Sequence, residues 1–129
     1  MKCWASSRGD CAGRQSGEHI VSAGIYDGPT VFVRGYPWCR TVKEIGLDRA
    51  TAKILCEHHN NTLSPVDDAG IAAFDTLQEM FRLQDVRRRH KPSTGRWTLV
   101  ESEIDGLGFE RWLLKTTINA VCAAPGEQR

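Results

Sequence analysis

The feature that most restricts this chain is Ile54-Leu55-Cys56-Glu57-His58-His59, in which two apolar residues lead into a Cys-x-x-His step. That spacing lets one turn present two soft ligands to a single tetrahedral Zn²⁺. A four-coordinate ion needs two more, and Cys3 and Cys11, which flank a Ser/Arg/Gly/Asp turn, are the donors available upstream. Their separation is looser than Cys-x-x-Cys. His58 competes with His59, and His59 is preferred because it keeps the two-residue spacing. Residues 1–17 are rich in Ser, Gly, Arg and Asp, with almost no apolar periodicity. So polar a segment has little surface to bury against the entropy of ordering it, and a loop held by metal explains it better than a strand or helix. Arg8-Gly9-Asp10 reads as a turn and nothing more.

A chain of 129 residues with 26% charged and 40% hydrophobic side chains has the make-up of one ordinary globular body. No apolar stretch approaches the length of a membrane span, and the beginning of the chain lacks the character of a signal peptide. The expected compartment is therefore cytoplasmic, where five Cys are metal ligands or buried thiols rather than disulfides. Cys39 and Cys122 are the two left over from the metal site, and Cys122 reads as a small buried thiol in a helix. The net charge of +1 is uninformative, but its distribution is not. Arg82, Arg87, Arg88, Arg89, Lys91 and Arg96 face a single acid, Asp85, within one short segment.

Along the chain, Glu18-His19 stands at the leading end of a short β-branched stretch that is broken at Gly24, and Asp27-Gly28-Pro29 forms a turn. Thr30 to Arg34 is the clearest strand, ended by Gly35-Tyr36-Pro37-Trp38, and residues 43–55 supply a second strand. Ser64 and Pro65 read as N-cap and first residue of a helix. Ile71, Phe74, Leu77 and Phe81 give that helix a core-facing stripe to about Leu83. It dissolves into a basic loop from Arg87 to Gly95. A strand over Trp97 to Ile104 and a closing helix marked by Phe109, Trp112, Leu113, Ile118 and Val121 follow, with a tail from Pro125. Trp97 and Trp112 read as core.

Taken together, Cys3…Cys11…Glu18-His19-Ile20…Leu55-Cys56-x-x-His59-Asn60-x-x-Leu63-Ser64 resembles the HNH endonucleases of the treble-clef, ββα-metal type, over roughly residues 1 to 70. The resemblance implies an α+β fold: a zinc-stabilised treble-clef unit followed by a helix, a short β segment and a C-terminal helix. The HNH-like part would occupy residues 1–84, and residues 85–129 would extend it on the same core. Cys3, Cys11, Cys56 and His59 would hold the structural zinc. DNA phosphodiester hydrolysis would use His19 as general base, with Glu18 and Asn60 on a catalytic Mg²⁺ or Mn²⁺. Arg87, Arg88, Arg89 and Lys91 would grip DNA phosphates without reading sequence. The chain departs from the family in the middle: where an Asn should orient the His, it has Asp48, Arg49, Ala50, Thr51 and Lys53. Thr51 or Asp48 would then have to take that part. The departure favours a second expectation, a non-catalytic zinc module that binds nucleic acid or a partner protein on the same scaffold.

Overall fold

A computed structural model describes residues 3–35 and 39–123. Two of the sequence expectations, part of the turn at residues 35–38 and the tail from Pro125, lie outside them. The fold is α+β, with two helices and two small antiparallel sheets. After a 3-10 turn at Ser6–Arg8 come β1 (Gln15–His19), β2 (Thr30–Val33), β3 (Lys43–Gly46) and β4 (Thr51–Cys56). The helices α1 (Glu57–Arg89) and α2 (Gly106–Ala123) follow. β1 pairs with β4, His19 lying opposite Thr51 and Gln15 opposite Cys56, with an irregularity between Ser16 and Glu18. β2 and β3 form a separate hairpin inside the long connection between them.

β4 runs straight into α1, and Cys56 is its N-cap, accepting a hydrogen bond at Sγ from the His59 N–H. The helix therefore starts a full two turns before Ser64, and Pro65 lies inside it. Pro65 deprives the Asn61 carbonyl of its helical donor, but Asn61 and Pro65 are both exposed, so water can satisfy the group. What overrides the local Ser-Pro signal is the start of α1 itself. The Glu57 N–H donates to the Arg14 carbonyl at 2.9 Å and that of His58 to the Ala12 carbonyl at 3.2 Å. Donors that would be orphaned at a helix start are thus satisfied by the loop carrying Cys11.

Cys3, Ala5, Leu55 and Cys56 form a buried cluster covered by Trp4 and Leu63. A second contact joins the helices, which pass antiparallel: Trp112 lies on Gly70, and Phe74 meets Phe109 and Trp112 edge-on at 6.1 and 5.3 Å. Beyond Phe74 the core-facing stripe expected of α1 is not covered. Leu77, Met80 and Phe81 are exposed, because the first turn of α2 lies beside Ala69 to Phe74 and no helix among the described residues faces the outer half of α1. α1 also runs uninterrupted through residues 84 and 85.

Trp97 to Ile104 is not a strand. Among the described residues this segment pairs with no other strand, and Trp97, Leu99 and Val100 are exposed. Trp97 is instead a platform for Arg87, whose guanidinium lies 5.6 Å from the ring centre. In α2 the expected helix is present, but the buried face is Gly108, Trp112, Lys115 and Asn119, while Leu113 and Val121 are exposed. Asp105 caps it, its Oδ1 accepting from the Gly108 N–H at 3.1 Å. No helix among the described residues is long and apolar enough to cross a membrane.

Candidate metal centre

The four residues singled out by type and spacing converge. The ligand atoms of Cys3, Cys11, Cys56 and His59 all lie within 4.8 Å of one another. His59 Nδ1 is 3.5 Å from the sulfur of Cys3, 3.6 Å from that of Cys11 and 3.1 Å from that of Cys56. For a tetrahedral ion with ordinary Zn–S and Zn–N bonds, nitrogen and sulfur should stand about 3.6 Å apart. The cluster therefore fits one metal ion, and three thiols with one imidazole are a donor set that suits structural zinc. His58, the competitor, is exposed and outside the tetrad.

The polypeptide prepares this site unevenly. Burial pushes the Cys56 thiol up, but backbone hydrogen bonds from His59 and Ala12, with the His59 and Cys3 side chains, outweigh it and bring the pKa down to about 6. A thiolate at a helix N-terminus is further favoured by the dipole. Cys11 is pushed up to about 11 by desolvation and by the facing Cys3 and Cys56 sulfurs, since a second negative charge beside the first is resisted. A bound cation reverses that penalty, which couples metal binding to closure of the N-terminal loop.

The expected catalytic residues are placed as follows. His19 ends β1, partly exposed and directly across from Thr51, whose hydroxyl donates to the Asp48 carbonyl at 3.2 Å. Glu18 points the other way and is 5% exposed. Its Oε1 accepts hydrogen bonds from Lys115 Nζ and, at 3.2 Å, from the Asn119 amide. The Asn60 amide donates to Ser16 Oγ at 2.9 Å. Lys115 also donates to both oxygens of Asp67, at 2.7 and 2.6 Å. Asp67 accepts from Ser22 Oγ at 2.6 Å, and Ser22 Oγ accepts from the Trp112 indole at 2.9 Å. Asn119 in turn accepts from the Trp4 indole at 3.0 Å, tying this network to the segment that carries Cys3.

The sequence assigns no site role to Lys115 or Asp67, and it shows Asp10 only as part of a turn. The signal for Lys115 was faint: it shares a helical face with Trp112 and Asn119, where a charge would need a buried partner. Asp10 was hidden inside a turn triplet, although it precedes a ligand directly. Arg87, Arg88 and Arg89 occupy the last turn of α1, followed by Lys91. About 43 Å of helix separates Arg88 from His59, at 1.5 Å per residue. Arg87 donates to the Thr98 carbonyl at 2.6 Å and Arg89 pairs with Asp85 at 2.6 Å. Comparison with protein-family models, with curated proteins and with solved structures returns no match to this chain.

Proposed function

We propose that this chain is a zinc-stabilised module of treble-clef type that binds nucleic acid through the basic end of α1 and does not hydrolyse it. The order of parts supports the treble-clef reading: a Cys-bearing loop, an antiparallel strand pair, then a helix whose N-cap and first turn carry the last two ligands. The observation that carries the non-hydrolytic reading is Lys115. A divalent ion on Glu18 would have to displace a buried ammonium already shared between Glu18 and Asp67. That ammonium hydrogen-bonds both carboxylates and fills the position an ion on Glu18 would need, even though the trio keeps a net negative charge. Arg88 and Lys91, exposed beside Arg87 and Arg89, supply a positive end to a long rod on a chain of almost no net charge.

His19 supports a second reading, hydrolysis of DNA with His19 as general base. It stands at a strand end, partly exposed, where the HNH resemblance puts the base. One experiment separates the two. Supercoiled plasmid is incubated with the zinc-loaded protein and Mg²⁺, Mn²⁺ or Ni²⁺, beside His19→Ala, while anisotropy follows binding of a duplex across a salt series. Binding without nicking is expected, and Arg87→Ala/Arg88→Ala/Arg89→Ala should flatten the salt dependence by up to three contacts, at about 0.9 per contact. Nicking lost in His19→Ala would establish the nuclease. An unchanged salt slope in the triple variant would remove α1 from the interface.

A further inference from the structure

The metal tetrad leaves one nitrogen of its histidine unaccounted for. All three sulfurs face Nδ1 of His59, so Nε2 points away from the ion. His59 is 3% exposed, which makes an unpaired Nε2–H expensive. Asp10 Oδ1 meets that nitrogen at 2.8 Å.

We propose that Asp10 is a positioning residue of the metal centre, whose carboxylate fixes the His59 imidazole as the Nε2–H tautomer and so reserves Nδ1 for the ion. This inference rests on the metal centre and is independent of whether the module binds nucleic acid. A neutral imidazole carries its proton on one nitrogen only, and the acceptor placed at Nε2 decides which. The local chain is shaped for this. The 3-10 turn at Ser6–Arg8 ends at Gly9 with φ of 80°, in the left-handed region that glycine adopts without strain. The next two residues are Asp10 and the ligand Cys11, so a single turn delivers one sulfur to the ion and one carboxylate to the back of the histidine. The outer oxygen of Asp10 faces solvent, where Arg8 Nε lies 3.9 Å from Oδ2 as an exposed and screened ion pair. A ring held in one tautomer and one orientation is the better ligand, because neither has to be selected when the metal arrives.

Two measurements test this on the full chain. Zinc affinity is read by competition with a chromophoric chelator for the native protein, Asp10→Ala and Asp10→Asn. Asp10→Ala should bind zinc about 10- to 100-fold more weakly. Asp10→Asn keeps an acceptor oxygen and should lose less. Separately, cadmium-113 is loaded into native protein labelled with nitrogen-15 histidine. The His59 coupling should appear at Nδ1, with an observable Nε2 proton that exchanges faster in Asp10→Asn, a signature that a residue merely bracing the loop would not move. Native affinity in Asp10→Ala, or coupling through Nε2, would overturn the assignment. If Asp10→Ala fails to fold, the native spectrum and Asp10→Asn still decide it. A native protein that takes up no zinc or cadmium would instead remove the metal centre itself.

Discussion

Replacing Lys115 by Met should be among the most damaging single changes in this chain, and its size can be worked from the network. Lys115 is 4% exposed and donates to one oxygen of Glu18 and both of Asp67. Methionine fills a similar volume but leaves two carboxylates without a cation. The two do not suffer equally. The Asp67 side chain is 23% exposed and keeps Ser22, so water reaches it and its loss is of the order of a screened pair, about 1 kcal/mol or less. The Glu18 side chain is 7% exposed and, among the described residues, keeps the Asn119 amide, so it bears most of the roughly 3–5 kcal/mol that an uncompensated buried charge costs. Domains of this size have total stabilities of roughly 5–15 kcal/mol, so the change removes a large fraction. Urea unfolding of the zinc-loaded protein measures it. The decisive comparison is Lys115→Met/Glu18→Gln, which removes both charges while leaving an acceptor for Asn119. It should recover about 2–3 kcal/mol relative to Lys115→Met alone. If Lys115→Met costs under about 1 kcal/mol, or the double variant is as unstable as the sum of the singles, the network is not what holds α2 to β1.

Native protein purified without a histidine tag should carry one zinc per chain by elemental analysis, and a strong chelator should lower hydrogen-exchange protection most over residues 3–20, where two of the four ligands lie. Gly70→Ala should destabilise by about 1–3 kcal/mol in thermal unfolding, because the added methyl would sit 2.5 Å from the Trp112 indole nitrogen and force α1 and α2 apart. A neutral or stabilising result would mean the helices separate freely. In metal-free protein two thiols set opposite pH limits. Cys56, with its pKa lowered to about 6, adds stability that is fully present above the ordinary thiol value near 9 and is lost as pH falls through 6. Cys11, raised to about 11, withdraws stability as pH climbs above 9. Unfolding of the metal-free chain, referenced to Cys56→Ser and Cys11→Ser, should therefore show these contributions peaking near pH 9, and zinc should flatten the profile.

Much of the metal centre was legible before any fold was known. Cys-x-x-His after an apolar pair is a local pattern, and a Cys-bearing segment too polar to fold alone needs an external ligand to order it. β2 and the existence of α2 were legible for the same reason, since short-range apolar patterning announces them. The start of α1 was not, because carbonyls from Ala12 and Arg14 outcompete Ser64-Pro65, and those contacts bridge more than forty residues. Nor was the fate of Leu77 and Phe81: periodicity reports that a helix has an apolar face but not where its neighbour stops. Lys115 lies 97 residues from Glu18 and 48 from Asp67, and Asp10 lies 49 from His59. Charge pairs of that separation leave no mark on local sequence. Only the packing of α2 across β1 and α1 decides that a lysine, rather than water or an ion, stands between those two carboxylates.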